Sequence, residues 1–169
     1  AEKVANEYDC AGLSSDDKEN LYYNPALQSY VDSNYRDAIP KFEQYLNKFP
    51  SGRFAYDAHF YLGNALLRTK DTAQAMPHYA AYLSGPVSTF FEPVSLRLAA
   101  YYYERDAYDS AQVYYQLLEK YAAKPNNINT AKLGVMRCAF LLNQYATSKS
   151  YAEQVKTTVG ITQNIKIEA

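Results

Sequence analysis

Apolar and polar positions recur along this chain with the period of a helix, and they do so in blocks that repeat. Four stretches superpose: 34–50 (NYRDAIPKFEQYLNKFP), 70–83 (KDTAQAMPHYAAYL), 106–121 (DAYDSAQVYYQLLEKY) and 143–155 (NQYATSKSYAEQV). Each sets a small residue at the same place, Ala38, Ala75, Ala111 and Ser148, at spacings of 37, 36 and 37 residues. Four positions later come Phe42, Tyr79, Tyr115 and Ala152, and three further on Tyr45, Tyr82, Leu118 and Val155. An i, i+4, i+7 recurrence is one stripe of an α-helix. A second helical block precedes three of these stretches, over 57–69, 94–104 and 130–142. Within them Gly63 and Ala99 are small enough to let two helices approach, and Leu62 and Leu98 fill the contact.

The pattern predicts a helix, a tight turn and an antiparallel helix in each repeat. A helix pair of this size cannot bury its own apolar face, so neighbours must stack on one another. The fold class expected is all-α, an α-α superhelix running through residues 1–169, with repeats at 19–55, 56–91, 92–128 and 129–165. A helical segment is expected over 1–18, with residues 2–11 helical and a start signal in Ser14-Ser15-Asp16-Asp17 followed by Glu19. Asn24-Pro25 reads as the cap and first position of the next helix, because proline inside a helix removes a hydrogen bond. The chain opens without Met, and NIKIEA at its end reads as a new helical pattern, so a piece of a longer protein is expected.

These residues resemble the tetratricopeptide repeat family, whose pattern is an aromatic, then Leu-Gly, Tyr, Ala-x3-Phe and a closing Pro. Leu62-Gly63 with Ala75 and Tyr79 matches best, and Tyr35, Ala38, Phe42 and Pro50 fit the second half. The resemblance covers roughly residues 20–158 and implies a right-handed solenoid of antiparallel helix pairs. The repeat exceeds the family's usual ~34 residues. The extra length falls in turns rich in Pro, Gly, Ser and Asn (50–54, 84–92 and 123–129). Such turns are similar to those of bacterial cell-envelope tetratricopeptide proteins, the outer-membrane assembly lipoproteins and Tol-Pal accessory proteins. Tyrosine-rich repeats of the Bacteroidetes type look closest.

The resemblance implies a groove lined by the first helix of each repeat, receiving an extended peptide or a helix of a partner protein. Its positions fall on Tyr23, Leu27 and Tyr30; on Asp57, Phe60, Asn64, Leu67 and Arg68; on Leu96, Ala100, Tyr103 and Glu104; and on Thr130, Leu133, Arg137 and Phe140. Most successive members are three or four apart and share a face. The tyrosines offer rigid amphipathic contact area and the arginines a fork for a carboxylate, although aromatic stripes at helical spacing also serve as core. Asn64 matches one asparagine of the carboxylate clamp of chaperone-binding relatives, but Phe60 stands where its lysine belongs, which argues against a chaperone-tail receptor.

Charge and chemistry narrow the reading further. The formal net charge is -1 and the pI about 6.2, leaving no basic excess for a nucleic-acid backbone. No apolar run approaches a membrane span. Two cysteines, Cys10 and Cys138, are too few for a disulfide framework. His59 falls where the repeat pattern puts a packing aromatic, and His78 is expected to face solvent. No paired-ligand spacing, phosphate loop or nucleophile motif accompanies them, so no metal, cofactor or catalytic role is expected.

The function expected is a protein-interaction scaffold, periplasmic or outer-membrane-associated, with the cytoplasm as the alternative. Two other readings stand beside it. Tyr23, Tyr30, Phe60 and Tyr103 could stack on sugars in a carbohydrate-binding module, or exposed solenoid ends could build a homo-oligomer.

Overall fold

The computed structural model describes residues 14–157 and 168. Eight helices form among them: α1 (Ser15–Val31), α2 (Tyr35–Lys48), α3 (Ala55–Arg68), α4 (Thr72–Leu83), α5 (Phe91–Tyr103), α6 (Tyr108–Tyr121), α7 (Pro125–Leu141) and α8 (Tyr145–Thr157). No strand occurs among the described residues. The fold is all-α, a tetratricopeptide-like helical repeat. The helix expected over 2–11, with Cys10, lies outside the described residues. Contacts divide the chain into two compact units, residues 1–82 and 83–169.

One turn is used four times. Ser33, Lys70, Asp106 and Asn143 all have positive φ, between 58° and 70°, and follow one another at 37, 36 and 37 residues. Each is the left-handed residue that ends the first helix of a pair. The next amide reaches back five residues, from Asn34 to Ser29, Asp71 to Leu66, Ala107 to Tyr102 and Gln144 to Ala139, over 2.7–3.0 Å. This is the Schellman closure, which satisfies the last helical carbonyls and reverses the chain.

In unit 1 the recurring stripe is interior, with Ala38, Phe42, Tyr45 and Ala75 fully buried and Tyr79 at 1% exposure. Gly63 lets α4 close on α3, since a β-carbon there would lie 2.9 Å from the Tyr79 ring. A polar network pins α1 to the α2–α3 turn. Glu19 is buried, and its Oε2 accepts from the Tyr45 hydroxyl (2.8 Å) and the Arg53 amide (3.0 Å). The Tyr45 hydroxyl in turn accepts from the Phe54 amide at 3.1 Å. Gly52 leaves the space for this, because a β-carbon would sit 2.6 Å from both oxygens.

α1 differs from the two helices expected there. It starts on a capping box of Ser14 and Asp17, three residues apart, and runs unbroken through Pro25. Pro25 lies on the exposed side, where the carbonyl it leaves unbonded can turn to water; Pro40 in α2 and Pro77 in α4 are exposed likewise.

In unit 2, Leu98, Ala99, Ala111, Leu118, Val135, Cys138 and Val155 are fully buried. Tyr115 lies flat against the backbone of α7 at Gly134, where a β-carbon would meet three of its ring atoms at 2.5 Å. Glu92, in the first turn of α5, accepts from the Ala123 amide at 2.9 Å and from the Asn127 side chain, fixing the start of α7. These bonds hold its carboxyl below the ordinary value. Ser148 replaces alanine in the stripe of α8 and donates to the Met136 carbonyl at 3.1 Å, tying α8 to α7.

Candidate functional site

Within each unit the first helices of successive pairs touch, α1 with α3 and α5 with α7. The residues expected to bind fare differently in the two. In unit 1, Tyr23 is core: it is 5% exposed, stacks on Phe54 at 4.2 Å and meets Phe42 and Tyr45 edge-on. No ring face is left for a ligand. Tyr30 is half-buried against Tyr35 and Tyr61, and Phe60 against Tyr61 and Tyr82. Leu27 is half-buried and Asp57 exposed. Asn64 accepts a hydrogen bond from the Tyr79 hydroxyl at 2.7 Å, a structural use of that amide. Arg68 is exposed, 6.0 Å from the Tyr35 ring centre, and borders a polar cleft with Ser33, Arg36 and Lys70.

In unit 2 three of the expected residues come together. Tyr103, Arg137 and Phe140 line a cleft of about 710 Å³, built chiefly by α7 and α8. Leu96 is half-buried on α5 and Glu104 is exposed at the end of that helix, and neither lines the cleft. Buried Met136, Ser148 and Ala152 form the floor. Phe140, Leu141 and Tyr145 form an apolar wall, 60%, 45% and 59% exposed, with Phe140 and Tyr145 edge to face at 5.9 Å.

Arg137 brings a positive charge to the cleft. Its Nε and Nη2 donate to the two carboxylate oxygens of Glu168 at 2.5 and 2.6 Å, a two-pronged grip. The pairing moves both groups toward their charged forms: it raises the Arg137 guanidinium and lowers the Glu168 carboxyl. Lys149 and Lys156 add positive charge along the cleft, and Glu153 a negative one. The arrangement can hold a carboxylate beside apolar side chains. Tyr145 and Met136 were not among the expected binding positions. The signal available was the apolar run Phe140-Leu141-Leu142, which continues past the helix end and meets another aromatic three residues later.

One histidine also departs from expectation. His78 does not face solvent; it is half-buried against His59.

Residues 30–88 match the tetratricopeptide repeat family. That stretch runs from the end of α1 through α2, α3 and α4 into the following turn. α5 to α8 repeat the same left-handed turn at the same interval. A solved structure described as the functional characterization of Pseudomonas aeruginosa PilF is similar in fold, with a TM-score of 0.52 and 20% sequence identity. The likeness covers 89% of this chain and 64% of that one, so this chain spans less than two thirds of its neighbour. No curated protein matches.

Proposed function

We propose that this chain is an interaction scaffold, and that the α7–α8 cleft receives a partner segment presenting a carboxylate next to aromatic or aliphatic side chains. The observation that carries the reading is the grip of Arg137 on a carboxylate at the foot of an exposed apolar wall. Tetratricopeptide repeats generally mediate protein–protein interaction and are typically not enzymes. The pairing of Arg137 with the chain's own Glu168 supports this reading, and an incoming carboxylate would have to displace it.

A location in the bacterial cell envelope, periplasmic or at the outer membrane, belongs to the same proposal. It rests on the lengthened turns, similar to those of envelope repeat proteins. No described helix is long and apolar enough to cross a membrane.

Selection from a random peptide display library tests the docking reading. Enriched peptides should combine Asp or Glu with aromatic or aliphatic residues, and Arg137→Gln and Phe140→Asp should each abolish capture. Peptides that bind both variants as well as the parent would remove the cleft from the account. Sedimentation of the same proteins separates the self-associating alternative: an oligomer that dissolves in Phe140→Asp would make the occupant a second copy.

A further inference from the structure

α3 and α4 turn the only two histidines of the chain toward each other. His59 Nδ1 lies 2.9 Å from His78 Nδ1, with ring centres 5.2 Å apart and planes tilted by 31°. Both rings border a cleft of about 470 Å³ in unit 1 that also takes in Glu43 and Asn47 from α2. Burial holds both imidazoles below their ordinary value, with His59 lowered to about 4 by burial and by its neighbour. At neutral pH both rings are therefore uncharged, the form that binds metals.

Two neutral rings at this separation have two uses for their facing nitrogens. One Nδ1–H can donate to the other's lone pair, or both lone pairs can serve a single acceptor. Two metal–nitrogen bonds of about 2.0 Å hold their nitrogens about 2.8 Å apart at a right angle and about 3.3 Å apart at a tetrahedral one. The observed separation fits the right angle.

We propose that His59 and His78 form a two-imidazole seat for a divalent transition metal that takes its ligands at right angles, Cu²⁺ or Ni²⁺. The ion sits on the cleft side of the pair. Binding requires that the donating ring move its proton from Nδ1 to Nε2, which changes the charge of neither ring, and that both rings turn so that their lone pairs converge on the ion. Among the described residues no three His, Cys, Asp or Glu side chains gather closely enough to hold an ion. Water therefore fills the other positions, and the Glu43 carboxylate on the same cleft supplies counter-charge. Such a site would depart from the expectation of no metal, because its ligands stand nineteen positions apart on two consecutive helices and no local spacing announces it.

The test is titration of untagged protein with Cu²⁺ at neutral pH, with glycine as a weak competing chelator, read by electron spin-echo spectroscopy. One ion per chain coordinated by two imidazoles is expected. His59→Gln and His78→Gln should each weaken binding by more than about tenfold while the helical circular dichroism is retained. Zero or one imidazole in the parent protein overturns the proposal, and so does equal affinity in the variants. Should either variant fail to fold, the imidazole count of the parent decides.

Discussion

Replacing Gly134 by alanine probes how closely α6 rests on α7. The new β-carbon would lie 2.5 Å from Cγ, Cδ1 and Cδ2 of Tyr115. Ordinary carbon contacts sit at about 3.5–4.0 Å, so the ring must retreat by about 1 Å. Those atoms are the base of the ring, which cannot swing away as a flexible tip would. Tyr115 is also enclosed by Ala99, Ala111, Val135 and Cys138, all fully buried, with Tyr103 packed against the same cluster. Overpacking of this kind costs about 1–3 kcal/mol, and the close approach puts this site toward the top of that range. Exchanging glycine for alanine inside a helix returns about 1 kcal/mol. The net expectation is a loss of about 1–2 kcal/mol, read as a lower urea midpoint with unchanged slope. Gly63→Ala is the control: its β-carbon meets the Tyr79 ring at 2.9, 3.1 and 3.3 Å, so the two effects nearly cancel. Tyr115→Leu should absorb much of the Gly134→Ala loss when the two are combined. A Gly134→Ala protein as stable as the parent would refute the claim that Tyr115 rests on the α7 backbone.

Three further outcomes are expected. Lys70→Gly should raise stability by about 0.5–1 kcal/mol in the same urea assay, because Lys70 holds φ at 70° and glycine adopts that conformation without strain. Glu19→Ala should lower it by about 2–3 kcal/mol, since the Tyr45 hydroxyl and the Arg53 amide lose their acceptor in a buried place. Glu92 should make stability fall with acid. Its carboxyl is depressed in the folded chain, so its contribution is present above the ordinary value of 4.5 and is lost as pH falls through the depressed one. Glu92→Gln should flatten the change in urea midpoint between about pH 5 and about pH 3.

The helices were legible because their signal is local. A stripe of Ala38, Phe42 and Tyr45 repeats down the chain, and the same face is interior in every helix that carries it. The turns were expected but their left-handed closure was not legible, because Ser33 and Lys70 occupy a position where glycine or asparagine is the usual sign. Pro25 misled for the opposite reason: a strong local breaker is tolerated when its unbonded carbonyl faces water. Glu19 looked like a capping residue, since its true partner Tyr45 lies 26 residues away. The binding positions were harder still. A first-helix register places Tyr23 and Arg137 on equivalent faces, yet Phe54 and Phe42 enclose Tyr23, whereas the guanidinium edge of Arg137 pairs with the Glu168 carboxylate. What surrounds a residue comes from other helices, and a single helical period does not carry that information.

The two methionines provide one reporter in each unit, Met76 in α4 and Met136 in the floor of the α7–α8 cleft. Methyl NMR of methionine-labelled protein, titrated with an acidic, aromatic peptide from the display selection, addresses the docking claim directly. The account predicts that the Met136 methyl signal shifts and saturates while Met76 stays in place, and that Arg137→Gln removes the shift. Movement of Met76 alone, or a Met136 shift that survives Arg137→Gln, would contradict it.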